Sequence, residues 1–224
     1  MLWDWAYARE VLPQLLEGLQ LTVKITLLAS LLALTLGFAL ALARHLKVPV
    51  LATFANGFMQ FFRNTPLLVQ LYMFFYALPQ FGIKISAVTS GILILGMHTG
   101  SYMAEVYRAG IESVHQEQWD ASTALNLPTR KTWTRVVIPQ ALPPIVPVLG
   151  NYINEMFKLT AYVATIGAVE MFGQGLRVAE FSYSYFVPLT MVGLLYLSVS
   201  ITVTVLLRRI EARNSRSSLV WTHA

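Results

Sequence analysis

The chain has 224 residues, 56% of them hydrophobic and only 12% charged, with no cysteine and a formal net charge of +5. A soluble domain carries about a quarter charged residues, so the composition is that of a membrane protein, and the lack of cysteine excludes disulfides and thiolate chemistry. The arginines and lysines flank apolar runs and form no basic stripe with interleaved aromatics. That excludes nucleic acid and suits loops against an anionic inner leaflet.

Residues 1–18 read as an interfacial segment, with Trp3, Trp5 and Tyr7 among acidic and basic residues. A first span follows at Leu21–Ala43. Its apolar run is too long for a signal sequence, and Arg44, His45 and Lys47 follow at once, so the helix is retained. A basic turn and an amphipathic stretch containing Pro49 lead to a second span within Met59–Leu78. Thr65-Pro66 near its start bends it or breaks its first turns. Arg63 stands at its entry with Gln70 further in; the arginine either snorkels to lipid phosphate or serves inside the assembly. The third span, about Ser86–Arg108, holds His98 and Glu105 as its ionisable groups, and Glu105 and Arg108 are spaced for a helix-end ion pair. His98 alone in a span reads as a hydrogen-bonded interface group and not a ligand.

Residues 110–139 interrupt the membrane pattern with a polar loop. Within it, Gln118–Leu125 reads as a short helix with Glu117 and Asp120 near its start and small residues at Ala121, Ser122 and Ala124. Asn126 stops it, because Asn tolerates the left-handed conformation in which helices end. The fourth span begins among Pro139, Pro143, Pro144 and Pro147 and carries Glu155 and Lys158 in its second half. Helical spacing groups Asn151, Asn154, Glu155 and Lys158 as one wet stripe. Charges at membrane depth face protein or water, so the stripe is either a self-neutralising Glu155–Lys158 pair or the lining of a path for a zwitterion. A loop at 167–185 precedes the fifth span, about Phe186–Leu207, and a basic tail. Residues 19–211 thus form the transmembrane domain and 212–224 the tail. Positive residues concentrate after the first span, in the polar loop and in the tail, which places the N-terminus outside and the tail and loop in the cytoplasm. The four histidines are scattered, so no metal ligand set exists, and neither a phosphate-binding Gly-rich loop nor a nucleophile–base pair occurs. No cofactor and no enzymatic activity of the chain itself are expected.

Three segments together resemble the membrane subunits of bacterial ABC importers. Their cytoplasmic loop reads Glu-Ala-Ala, then Gly four residues on, then a spaced hydrophobic-Leu-Pro. Here Asp120-Ala121-Ser122, Asn126 and Ile138-Pro139 stand at those places. Residues 62–70, 102–114 and 138–141 are similar to the polar amino-acid branch of that family. The resemblance implies an all-α type I importer permease of five transmembrane helices, resident in the bacterial inner membrane. It also implies a cytoplasmic coupling helix, with Glu117, Gln118, Asp120, Ala121, Ser122 and Asn126 against an ATPase. The implied partners are two ABC ATPase subunits, a second permease subunit (identical or paralogous) and a periplasmic or lipid-anchored solute-binding protein. Asn151, Asn154, Glu155, Lys158, Arg63 and Gln70 would line the path of a small zwitterionic solute. The family's Lys-Asp-Thr-Ser-Leu is here Lys158-Leu159-Thr160-Ala161-Tyr162, which leaves room for a compatible solute such as ectoine or hydroxyectoine in place of a polar amino acid. A stand-alone secondary transporter is the rival of a different class; the chain shows no internal repeat of the kind such folds are built on. An integral-membrane enzyme would need a catalytic constellation, which is missing.

Overall fold

The computed structural model describes residues 3–45 and 48–218, with side chains to residue 209. Lys47 and the side chains of Arg213 and Arg216 therefore lie outside the described residues. The first helix, α1, runs Trp5–His45 without interruption. At 1.5 Å per residue it is about 60 Å long, twice the hydrocarbon thickness of a bilayer. The interfacial segment is thus the opening of that helix: Ala8, Val11, Leu15 and Gly18 are buried there as Thr22, Ile25 and Ala29 are further along.

The Thr65-Pro66 break divides the second span. Helix α2, Pro49–Asn64, ends at an extended Thr65, and α3, Leu67–Tyr72, restarts behind Pro66 and continues through a π turn at Met73–Ala77 and a 3₁₀ turn at Leu78–Phe81. Proline has no N–H to donate, so carbonyls before it lose their helical partner. The buried Gln70 supplies one: its Nε2 donates to the Phe62 carbonyl (2.9 Å), the Thr65 carbonyl (3.0 Å) and Thr65 Oγ1 (2.7 Å). The apolar stretch left at Leu67–Phe81 is shorter than the expected span.

Helix α4, Ala87–Glu112, is the centre of the bundle. Gly37 of α1 lies so close to it that a Cβ there would come within 2.8 Å of the Gly100 carbonyl oxygen. Such small-residue contacts let membrane helices pack backbone to backbone, where lipid provides no hydrophobic drive. Ser90, Thr99 and Ser101 are buried in the same helix; enclosed by protein, α4 does not need the apolar surface that a lipid-facing span must present.

Beyond α4 come the short α5 (Gln116–Ala124) and α6 (Thr129–Thr132). A π turn at Trp133–Val137 then leads into α7, Ile138–Leu159, with Pro143, Pro144 and Pro147 inside it, and a 3₁₀ turn at Thr160–Ile166. The last two helices are α8, Met171–Ser182, and α9, Phe186–Ser218. Three stretches are long and apolar enough on their own to cross a membrane: Trp5–His45, Thr129–Ile166 and Phe186–Arg209. Glu170, the N-cap of α8, ties three helices together. It accepts from the Gly173 N–H (2.8 Å), from Thr22 Oγ1 of α1 (2.9 Å) and from the Tyr196 hydroxyl of α9 (2.9 Å).

Candidate functional site

The polar loop forms its helix as expected, shifted by a turn fraction to Gln116–Ala124. Asn126 takes φ +49, and the Leu127 N–H reaches back to the Ser122 carbonyl (3.0 Å) while the Asn126 N–H reaches Thr123 (2.9 Å). This is a Schellman ending with Asn in the left-handed position. Glu117, Gln118, Asp120, Ala121 and Asn126 are exposed. Ser122 is not: it is buried, its hydroxyl donating to the Gln118 carbonyl. Leu125, which sequence reasoning passed over, is 72% exposed beside them. On the opposite side Trp119 meets Trp133 edge to face (5.4 Å), and Trp133 in turn meets His45 at the end of α1 (5.1 Å). The indoles fix the exposed face of α5 rigidly to the bundle. An aromatic pair of this kind adds about 0.5–1.5 kcal/mol beyond its buried area.

The charges at the ends of α1, α2 and α4 gather on one carboxylate. Glu105 accepts from Arg108 Nε (2.6 Å), from Arg44 Nη1 (2.8 Å) and from Arg63 Nη1 (3.1 Å), and Arg108 also reaches Glu112. The Glu105–Arg108 pair was legible from spacing; the recruitment of Arg44 and Arg63 was not. Arg63 is thus engaged by Glu105 while its side chain remains 38% exposed. Its guanidinium lies over the Tyr102 ring (5.5 Å to the centroid), and the Tyr102 hydroxyl donates to its carbonyl (3.3 Å).

Beside Arg63 lies a cavity of about 240 Å³ lined by His98, Thr99, Tyr102, Tyr152, Glu155 and Leu159. The Tyr102 and Tyr152 rings stack at 6.0 Å and 29°. The wet stripe of α7 splits at this point. Asn151, Glu155 and Lys158 are exposed, whereas Asn154 turns to α9 and donates to Thr204 Oγ1 (3.1 Å) and the Ser200 carbonyl (3.4 Å). Among the described residues Glu155 and Lys158 form no ion pair with each other, so the self-neutralising reading of the stripe does not hold. Gln70 is likewise not a free path residue: its amide is taken up by the broken helix and by His98. Tyr102 and Tyr152 are the lining residues that sequence reasoning missed; His98, expected as a hydrogen-bonded group, is bonded to Gln70 (3.1 Å) and lines the cavity as well. His98 and Tyr102 stand four apart and Tyr152 and Glu155 three apart, so each pair was predictable on its helix. That the two pairs face one cavity was not.

A larger hollow, about 460 Å³, lies between the start of α1 and α8, lined by Tyr7, Glu10, Arg177 and Phe181 among others. It is a wide, open hollow, remote in the fold from the charge cluster. No group of residues suited to a metal ion occurs among the described residues.

Residues 33–216 match the family model of the binding-protein-dependent transport system inner membrane component. Over 208 residues the chain is 36% identical to a probable amino-acid ABC transporter permease protein, y4tG, of Sinorhizobium fredii, covering 93% of this chain and 90% of the relative. It is 35% identical to the probable amino-acid ABC transporter permease PatM of Vibrio harveyi, with 90% and 92% covered. It is also 31% identical to the putative glutamine transport system permease GlnP of Rickettsia typhi, with 89% and 92% covered. In three dimensions it is similar to the crystal structure of an amino acid ABC transporter with histidines, at a TM-score of 0.90 and 32% identity, covering 95% of this chain and 100% of that one.

Proposed function

The chain belongs to the family of binding-protein-dependent transport system inner membrane components, the permeases of ABC transporters, and on that premise we propose that it forms the path of an ATP-driven importer for a polar amino acid or similar small zwitterion. The observation that carries the reading is the cavity between α4 and α7. Arg63 at its edge is a planar donor suited to a carboxylate, Glu155 in its lining is an acceptor suited to an ammonium group, and the stacked tyrosines form a shelf between helices. Asn151 and Lys158 continue the same exposed face of α7 along the path. A volume of about 240 Å³ admits a solute of amino-acid size.

ATP is hydrolysed in this reading by two partner subunits, each gripping an exposed α5 through Glu117, Gln118, Asp120, Ala121 and Asn126. A second permease, identical or paralogous, completes the path, and a solute-binding protein delivers the solute. Five spans cross the inner membrane: α1, Leu67–Phe81 completed by the end of α2, α4, the run from α6 through α7, and α9. The N-terminus lies outside and the tail in the cytoplasm, so a cysteine at Lys84 should react with an impermeant thiol reagent from outside and one at Thr123 only after the membrane is opened.

The test is uptake into proteoliposomes holding this chain with its ATPase, partner permease and receptor. An equimolar mixture of the twenty amino acids plus ectoine is offered and the contents read by mass spectrometry. ATP-dependent accumulation of one or a few zwitterions is expected, falling at least ten-fold in Arg63→Gln and in Glu155→Gln, the loss of one hydrogen bond between charged groups. Accumulation by this chain without an ATPase would make it a secondary transporter, and failure to accumulate any amino acid or ectoine would refute the reading.

A further inference from the structure

His98 sits between two observations that together decide which of its nitrogens carries a proton. The first is the orientation of Gln70. Its side chain is buried, and one end of its amide faces the carbonyls of Phe62 and Thr65. Carbonyl oxygens only accept, so that end is the NH₂ and the other end is the oxygen. That oxygen, Oε1, lies 3.1 Å from His98 Nδ1. An amide oxygen also only accepts, so Nδ1 carries the hydrogen and donates. In the neutral imidazole the second nitrogen, Nε2, then presents a lone pair.

The second observation is where that ring stands. His98 lines the same cavity as Glu155, Tyr102 and Tyr152, and no protein donor meets Nε2 among the described residues. Resting on the amino-acid reading above, we propose that His98 is a specificity-determining residue. Its Nε2 lone pair accepts a hydrogen bond from the solute's ammonium group, alongside the Glu155 carboxylate. The Pro66 break thereby has a role beyond bending a helix. It frees the carbonyls that orient Gln70, Gln70 fixes the tautomer of His98, and the tautomer sets an acceptor in the path. A primary ammonium group satisfies two acceptors at once; a quaternary one has no hydrogen to give.

The arrangement fails when the imidazole is protonated, because Nε2 then becomes a donor and adds a positive charge beside an ammonium group. Solute affinity should therefore fall once the medium is acidic enough to protonate the ring. The other titratable or charged groups facing the site are Arg63 and Glu105 on one side and Glu155 and Lys158 of α7 on the other, with the hydroxyls of Tyr102 and Tyr152. His45 stands against Trp133 at the far end of α1.

The experiment uses the assembled transporter in proteoliposomes with the twenty-amino-acid mixture, measuring half-saturation from pH 5.5 to 8 in three forms with one receptor. The parent should lose affinity toward the acid end of the range. His98→Gln places a non-titrating amide oxygen near the position of Nε2 and should flatten that limb while keeping affinity at pH 8 within about three-fold. His98→Asn keeps a polar group where Nδ1 stood but reaches no further, and should lose about ten-fold at pH 8. A merely structural histidine would lower the amount of assembled complex and the maximal rate and leave the shape of the pH profile alone. An acid limb that survives in both variants overturns the proposal for His98 and leaves the amino-acid reading standing. Failure of the parent to take up any of the amino acids overturns both.

Discussion

The contact between α1 and α4 gives a sharp test of how the bundle is held. Replacing Gly37 with Ala adds one methyl group in the middle of a helix. In an open position that change stabilises by about 1 kcal/mol, since glycine is the poorer helix former. At Gly37 the new Cβ would lie 2.8 Å from the Gly100 carbonyl oxygen, 3.0 Å from Met103 Cβ and 3.2 Å from the Ala104 nitrogen. Two of these are backbone atoms of a helix, which cannot rotate aside, so α1 and α4 must separate. Overpacking of this kind costs about 1–3 kcal/mol, and contact with rigid backbone belongs at the upper end. The net effect is a loss of about 2 kcal/mol. For a chain of this size 1 kcal/mol moves Tm by about 2–4 °C, so Tm should fall by about 4–8 °C. Gly57 is the control: it is helical, and a Cβ there meets nothing within 4 Å. Gly57→Ala should raise Tm by about 2–4 °C. Thiol dyes cannot follow the unfolding of a chain with no cysteine, but five tryptophans allow it by intrinsic fluorescence in detergent. If Gly37→Ala matched the control, the close approach of α1 and α4 would not be what sets the packing.

Three further outcomes follow from named contacts. Ala121→Trp enlarges an exposed position on α5, so abundance should be unchanged and stability stay within about 0.5 kcal/mol of the parent, while transport is lost and ATP hydrolysis no longer responds to solute; unimpaired uptake would remove α5 from the coupling path. Because Glu155 and Lys158 are exposed and unpaired with each other, neither Glu155→Gln nor Lys158→Met should leave an uncompensated buried charge. Both should assemble as the parent does by size-exclusion chromatography, and loss of the complex in either single variant would mean a pair that this geometry does not contain. Glu170→Ala strips an acceptor from Thr22, Tyr196 and the Gly173 N–H and should cost at least about 3 kcal/mol, read as a fall in Tm.

Glu170 also carries a pH dependence whose sign is fixed by its surroundings. It lies in the connection between α7 and α9, outside the spans. Burial pushes its carboxyl above the ordinary range, against the opposing pull of the Gly173 N–H and the Thr22 hydroxyl. A carboxyl whose folded pKa exceeds its unfolded value stabilises the fold fully below the unfolded value, and that contribution is lost as pH rises through the folded one. Tm of the parent should therefore decline as pH rises through that interval, and Glu170→Gln should flatten the decline.

Much of this protein is settled by local sequence. Composition alone demands a membrane protein, because too few charges exist to solvate a surface. The ending of α5 follows from Asn126, since a left-handed φ at that place needs a residue that tolerates it. The interruption at Thr65-Pro66 follows from a missing N–H, and the Glu105–Arg108 pair from a spacing of one helical turn. Each of these is decided within a few residues, and a few residues are visible in a string. The charge network and the cavity are decided otherwise. Arg44, Arg63 and Glu105 come from three helices, and the Tyr102–Tyr152 shelf joins the last of these to α7. Periodicity assigns a residue to a face of its own helix; it does not say which helix that face meets. Only packing does, and here packing is set by where glycines allow α1 and α4 to touch. For the same reason Asn154 and Lys158, which share a stripe by spacing, part company in the fold: α9 takes up the amide, and the charge stays on the open side.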